Sequence, residues 1–489
     1  MGFNDLKKFI TSEGGTTAVS VANPTTTFGE ILVAQLEPVA QGDFVYGFNN
    51  QVFTTGSFAG SSVTSANSMA ELTSGPSASG SAIVQLRRGL KYKPGEGSLM
   101  RATALFDTPD AGNAQFIGLG NAESGYFIGY FGTAFGVLHN STAATEIQKL
   151  TITATDAAAQ NITITLDGDP TVVNFDANSN PATAAYLIAQ TDFSQVGSGG
   201  WLVDVVSSSV YFSSARATPL LTGVYSAAGT GFAGTFSQIQ AGLSPTSTFT
   251  PSGSFSKDPL DGTGLSGMVL NPQMGNIYQI GFQYLGFGNA KFAISNPETG
   301  RPIEFHEIKN ANSRTTPVLR NPNAAVLATS ANIGGTVSKT LRTASMVAFT
   351  EGIVKRLDPK FAHTFTFSQN ASTYAPLGLL KAGRIHKGQR CFGEMDFLKV
   401  GASNESTAKT LTIGLFLLAD IAPGTGGNGI NYIEVDPNNS VVSTATLDPD
   451  NDTITNLASI TPFYEVVTGA ASAVQDSLIQ LDYIFGPGQ

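Results

Sequence analysis

The sequence predicts a mostly-β, multidomain protein, and three observations carry that prediction. Charged residues make up 13% of the 489, about half the usual share. The hydrophobic fraction nevertheless stays at 41%, with the difference filled by 54 glycines together with serine, threonine and alanine. Small, β-branched and aromatic residues in this mixture favour strands and turns over helices. Finally, 32 Phe and 13 Tyr are enough to build cores, so the chain reads as folded rather than disordered. A chain of this length predicts roughly two to four domains.

Charge and cysteine usage exclude several functions. A net charge of −10 with only 26 Lys plus Arg offers no electrostatic footprint for nucleic acid or an anionic membrane. The single cysteine, Cys391, leaves no internal disulfide framework and no cysteine-rich metal site. The first fifteen residues place Phe3, Leu6, Phe9 and Ile10 at helical spacing with no apolar stretch behind them, so residues 1–15 predict a short amphipathic helix or docking segment rather than a signal peptide. The longest apolar run, 413–422, is about half of what a membrane span needs. A soluble protein made in a cytoplasm, without membrane insertion, is the expectation.

Residues 16–84 carry β-like segments, "EILVAQLEPV" and "FVYGFNNQVF", followed by a long polar loop over 54–81 that would be loose unless a partner ordered it. Two strands around a Lys-Pro-Gly turn follow. In "FIGLGNAESGYFIGYFGTAFGVLHN" (116–140), Phe116, Tyr126, Ile128, Tyr130, Phe135 and Val137 fall at even spacing, the period of strands with one buried face. Near Thr151 the texture changes. Alternating threonine strands, an Asp167-Gly168 hairpin turn, a helix with Asn180 as N-cap and Pro181 in its first turn, and two strands around the only tryptophan, Trp201, make a compact α/β module over 148–242.

The aromatic, glycine-rich texture resumes after this module. "FIGLGNAE" (116–123) is echoed by "YLGFGNAK" (284–291), so the two copies are expected to be related by pseudo-symmetry or direct pairing. Residues 85–147 and 243–350 thus predict one interrupted β-sandwich. A charged linker around Pro359 leads to a last β-rich domain over 360–489.

Residues 261–322 run from a glycine-rich start into an aromatic strand, then Leu285-Gly286-Phe287-Gly288, then the His306 strand followed by Asn310, Asn312 and Pro317. This pattern resembles the concanavalin-like (laminin-G-like) sandwich of virion structural proteins in tailed bacteriophages and large DNA viruses. The inserted module resembles the small β/α modules of phage tail proteins. The resemblance implies a tail, fibre or capsid-surface component residing in a virion assembled in the host cytoplasm.

Chemistry-bearing patterns are sparse. Gly118, Gly120 and Gly125 miss the dinucleotide-loop spacing, and no Lys-Ser/Thr follows as a phosphate loop needs; strand glycines more often mark bulges or close backbone approach. The four histidines, His139, His306, His363 and His386, form no metal-binding spacing. Cys391 beside Arg390 has no histidine paired with it in any sequence pattern, and a small buried hydrophobe is its simplest reading. Glu394 and Asp396 share a strand face, as glycosidase carboxylates do, but Lys399 stands where a second glutamate would follow. Asp448, Asp450 and Asp452 lack the glycine and glutamate of a calcium loop.

No catalytic, metal or cofactor-binding residue is therefore assigned, and the chain is not read as an enzyme. The main expectation is a virion subunit, a homotrimer in contact with other virion proteins and with host-surface glycans. The alternative is a carbohydrate-binding or carbohydrate-cleaving protein that works through the sandwich. Tyr126, Tyr130 and Tyr284 are the candidate glycan-contacting residues, although the same spacing suits core positions.

Overall fold

The computed structural model describes residues 36–352, except 122, 142, 157, 159, 176–179, 198–199 and 216–222, and the segments 363–365, 374–387, 389–391, 395–400, 411–416, 421–422, 430–435, 442–447, 452–455, 464–468 and 479–485. The expected N-terminal helix, the linker around Pro359, Glu394, Asp448 and Asp450 lie outside these residues. Among the described residues there is a single α-helix, and none long and apolar enough to cross a membrane.

The chain opens with β1 (Leu36–Asp43), β2 (Phe53–Phe58), β3 (Ser62–Ala66), β4 (Met69–Thr73), β5 (Ser81–Leu86), β6 (Gly97–Ala104), β7 (Asn113–Gly120), β8 (Gly125–Phe131) and β9 (Ala134–Ser141). A module follows, made of β10 (Ile147–Ala154), β11 (Gln160–Leu166), β12 (Asp169–Phe175), α1 (Pro181–Gln190), β13 (Trp201–Val206), β14 (Ser209–Ser214), β15 (Tyr225–Ala228) and β16 (Ala233–Gln240). The chain then returns through β17 (Thr246–Pro251), β18 (Asn276–Phe282), β19 (Ala290–Ser295), β20 (Pro302–Ile308), β21 (Ala325–Asn332), β22 (Thr340–Thr343) and β23 (Ser345–Glu351).

Two antiparallel sheets face each other across the main core. One has six strands in the order β1-β23-β6-β18-β19-β20, the other seven in the order β17-β9-β8-β7-β21-β5-β2. Between them pack Met100, Tyr278, Ile280 and Phe292 from the first and Val84, Ile117, Tyr126, Ile128, Val137 and Val326 from the second. Strand alternation explains the layer: β5 buries every second residue, Ala82, Val84 and Leu86, and leaves the others half-buried. This is the interrupted sandwich that the sequence predicts.

Its membership is wider than the sequence suggests. Of residues 16–84, which the sequence sets apart as an N-terminal segment, the described part supplies β1 to one sheet and β2 and most of β5 to the other. The stretch 54–81, expected as a loose polar loop, is mostly β2, β3 and β4. The last two form a hairpin that pairs through β4 with β22 in a third small sheet. The Ser/Thr-rich hairpin looks like a loop because only one of its faces meets apolar side chains, and in β4 those are Ala70 and Leu72. The echoed segments do not pair either. The first ends β7 in the seven-stranded sheet, whereas the second forms the turn between β18 and β19 in the other sheet.

The glycines of 116–140 let rings lie flat on a sheet. A Cβ on Gly118 would stand 2.4 Å from Phe127 Cδ1, and one on Gly120 or Gly125 would stand 2.7 Å from Phe127 Cζ. The Phe127 ring thus covers the bare backbone of two strands, as Phe249 covers Gly136. On this outer face Phe116, Phe127, Leu138 and Leu327 form their own apolar cluster. Phe116 therefore points away from the main core, contrary to the even-spacing expectation that grouped it with Tyr126.

The module folds as predicted in its local signals. Asp167 and Gly168 both take positive φ (53° and 83°), and Leu166 faces Asp169 across a two-residue hairpin. The Asn180 side chain accepts a hydrogen bond from Thr183 N at 2.9 Å, with Pro181 in the first turn. A four-stranded sheet (β13-β14-β10-β16) and a three-stranded one (β12-β11-β15) enclose a core with Trp201, Phe212, Ile164 and the buried face of α1. The module leaves and rejoins the sandwich through one bridge: Ala144 N donates to Leu243 O at 3.0 Å and Leu243 N to Ala144 O at 2.9 Å.

C-terminal residues complete this core. The strands Gly378–Ala382, Ile433–Glu434 and Val442–Thr446 form a small sheet, and Ile430, Tyr432, Ala445 and Leu447 pack into the module. Asp204 of β13 fastens the join. It accepts from Lys381 Nζ (2.5 Å) and from the backbone N–H groups of Arg384 (2.7 Å) and Ile385 (3.2 Å). The Lys381 ammonium also lies 4.3 Å from the Tyr432 ring centre. Burial lowers the Lys381 pKa, and the charge and hydrogen bond of Asp204 oppose that shift.

Gly125→Ala is expected to destabilise the sandwich by at least about 2 kcal/mol, because the new methyl meets Gly120 Cα at 2.7 Å and Leu119 O at 2.9 Å. Urea unfolding followed by near-ultraviolet circular dichroism measures this, and an unchanged midpoint would contradict the flat-ring packing.

Candidate functional site

The three tyrosines singled out from sequence do not form a site. Strand parity turns Tyr126 and Tyr130 inward with Ile128. Tyr126 is fully buried and stacked on His139, with ring centres 4.6 Å apart and planes at 19°. Tyr130 meets Phe106 and Phe135 edge-on. Neither ring offers a face to a sugar, which corrects the expectation for both. Tyr284 is half-buried; its hydroxyl donates to Leu319 O at 3.0 Å and its ring edge meets Tyr92 at 4.9 Å.

The segment 309–323 joins these pieces. Val318 N donates to Gly286 O, Asn323 Oδ1 accepts from Tyr92 N, and Asn121 Nδ2 donates to the carbonyls of Asn321 and Asn323. It also holds His139. Val318 O can only accept, so the His139 Nε2 at 2.9 Å carries the proton. Arg314 can only donate, so Nδ1, at 3.4 Å from its Nη2, is the bare nitrogen. Burial lowers the His139 pKa from 6.5 to about 4; the Val318 carbonyl works against this shift and the Arg314 charge works with it.

The folded protein therefore keeps His139 neutral between pH 6.5 and about 4, while the unfolded chain takes up a proton across that window. Stability is expected to fall as pH drops through it, by on the order of 3 kcal/mol at its lower end. His139→Gln should remove that part of the pH dependence, as measured by urea midpoints at neutral and mildly acid pH. Parallel losses in both proteins would disprove it.

An open cleft of about 510 Å³ lies on the module, beside the point where the chain passes to the sandwich. It is lined by Glu146, Gln148, Tyr225, Phe236, Gln238 and Gly242, among others. The sheet register gathers them. Gln148 faces Gln238 across β10 and β16, and two residues further along Leu150 faces Phe236, so one sheet face runs from core to cleft. Tyr225 of β15 approaches Phe236 at 6.0 Å and stands edge-on to Trp201 at 5.9 Å.

Glu146 is the hub of the cleft. Only 5% exposed, it accepts at Oε1 from Gln148 Nε2 (2.6 Å), the Tyr225 hydroxyl (2.6 Å) and Gln238 Nε2 (3.3 Å). Burial raises the Tyr225 pKa far above its usual value, and its hydrogen bond to Glu146 and the charges of Glu146 and Asp167 add to this, so the phenol remains a donor. A second buried carboxylate, Glu123, lies behind. It accepts from Thr145 N (3.3 Å) and Oγ1 (3.2 Å) and sits 3.8 Å from Arg320 Nε. Arg320 also donates to Gln240 Oε1 at 2.7 Å, and Gln240 Nε2 in turn donates to Thr145 O at 2.6 Å. These groups place a carboxylate, two amides and two aromatic rings around one opening. Such a set suits a hydroxylated ring: apolar ring faces rest on aromatics while hydroxyls exchange hydrogen bonds with carboxylate and amide groups.

Sequence reasoning missed this site. The one signal, polar Glu146 and Gln148 alternating with apolar Ile147 where Leu150 starts a core row, reads as an ordinary strand end until β15 and β16 are paired with it. Of the other sequence candidates, Cys391 is half-buried with its N–H bonded to Arg384 O. His306 Nδ1 accepts from Ser256 N at 3.1 Å within the sandwich. Among the described residues no cluster of three or more His, Cys, Asp or Glu could hold a metal ion.

No family model and no curated protein matches the chain. Solved structures similar to it include the carbohydrate recognition domain of Emp47p (8% identity, TM-score 0.26), covering 65% of this chain and 97% of that one. The lectin UEA-II complexed with galactose has 10% identity and a TM-score of 0.25, covering 64% and 100%. A legume lectin-like domain from Entamoeba histolytica has 9% identity and a TM-score of 0.25, covering 62% and 91%. The concanavalin-like sandwich is read from this chain's own sheets, six strands against seven with a small third sheet beside them.

Proposed function

We propose that this protein binds carbohydrate without cleaving it, at the module cleft lined by β10, β15 and β16. One observation carries the reading: Glu146, Gln148 and Gln238 surround an opening whose walls include the rings of Tyr225 and Phe236. The hydrogen bonds among the polar groups hold them in place before any ligand arrives, which lowers the cost of binding. Hydrolysis would need two carboxyl groups flanking one bond. Of the carboxylates near it, Glu123 is turned to Thr145 and Arg320, and among the described residues only Glu146 lines the cleft. A glycan array followed by calorimetry on the best hit tests the reading. Phe236→Ala should weaken binding at least about tenfold when measured well below the variant's melting temperature, which is expected to fall as well because the ring also packs on Phe212. An array without hits would refute it.

A second reading, an oligomeric virion subunit in contact with other particle proteins, is supported by apolar side chains presented on the 258–275 loop. Leu265 is fully exposed, and Val269 (72%) and Met274 (62%) are largely so. The loop is nonetheless well anchored: Asp258 accepts from Leu260 N (2.9 Å) and Ser266 N (2.8 Å). Exposed side chains on a fixed backbone suit a protein partner. Light scattering on the eluting protein is expected to show a stable trimer on this reading, and a 50.8 kDa monomer would set it aside.

A further inference from the structure

Glu146 is a buried carboxylate without a cation among the described residues. Among the described residues no Lys, Arg or His forms an ion pair with it, and its three donors, Gln148, Tyr225 and Gln238, are neutral groups that all reach the same oxygen, Oε1. The Oε2 oxygen has no hydrogen-bond partner among the described residues, although Glu146 lines the cleft and is 5% exposed. The described cations nearby are engaged elsewhere. Arg320 lies against Glu123 and Gln240, and Lys149, on the other face of β10, extends over the Tyr211 ring at 5.7 Å. A carboxylate taken out of water without a counter-charge is costly, and a cation arriving beside it recovers that cost. The rings of Tyr225 and Phe236 bordering the same opening add the attraction of aromatic faces for a cation.

We propose that the ligand of this cleft is an amino sugar whose free ammonium pairs with Glu146 Oε2 while its ring lies against Phe236. The inference rests on the carbohydrate reading above and sharpens it. Acidic sugars are disfavoured, since no uncommitted cation among the described lining residues would meet their carboxylate. Acetylating the amine removes the charge and should remove most of the preference.

The test is calorimetric titration of the full chain with three oligosaccharides of equal length: glucosamine units, N-acetylglucosamine units, and glucose units. The expected result is that the glucosamine oligomer binds at least about tenfold more tightly than the other two, and that Glu146→Gln abolishes the difference. In the unmutated protein, added salt should weaken glucosamine binding and leave any glucose binding almost unchanged; this holds even if the variant does not fold. Equal or tighter binding of the acetylated or neutral oligomers would overturn the amino-sugar assignment and leave the carbohydrate reading standing. If none of the three binds and a glycan array is also blank, both fail.

Discussion

The paired hydrogen bonds between Ala144 and Leu243 close the point at which the chain leaves the sandwich for the module and returns. Because the chain leaves and returns at one point, β17 can continue the sheet that β9 ends, as if the hundred or so intervening residues were absent. The loop-closure cost of so long an insertion grows only slowly with its length. The bridge extends the β9–β17 pairing to the base of the module, which also reaches the sandwich through Gln195 Nε2 and Ser57 O at 2.7 Å. The cleft walls come from β10 and β16 immediately beyond it.

Around the bridge, polar groups take over from apolar packing. Thr145 donates through both N and Oγ1 to Glu123 and accepts through its carbonyl from Gln240, while Glu146 collects its three donors on the next residue. Two buried acids side by side would strain a fold if either were left bare. Glu123 is answered by Arg320 from segment 309–323, and Glu146, among the described residues, by neutral donors alone. That asymmetry separates a structural acid from one open to a ligand. It also links the cleft to segment 309–323, which supplies Arg320 to the cleft side and Arg314 and Val318 to His139.

The module is held from its other side as well. Asp204, Lys381 and the backbone of Arg384 and Ile385 make a buried charged join, with Tyr432 beneath the ammonium and Leu447 and Ile430 in the shared core. Removing one partner of such a pair costs more than the pair itself contributes, because the other charge stays buried. The module thus sits between the sandwich and the C-terminal strands, with its carboxylate-lined opening on the sandwich side.

Local signals were legible in the residues themselves. Asp167-Gly168 dictates its hairpin because both positions need positive φ, and Asn180-Pro181 starts the helix because a side-chain acceptor and a pre-set φ stand where the first turn needs them. The mostly-β class and the interrupted sandwich followed from composition and from the return of the same texture after the insertion. What only the tertiary structure decided was which strands meet and which side of each faces inward. Even spacing could not tell that Phe116 lies on the outer face while Tyr126 lies inside, since a strand presents both faces with the same period. Nor could it reveal Glu146 as the centre of a cleft, for Tyr225 and Gln238 reach it from strands some eighty and ninety residues away. Turns and caps are written in neighbouring residues, whereas a site shared by β10, β15 and β16 exists only once distant strands have paired.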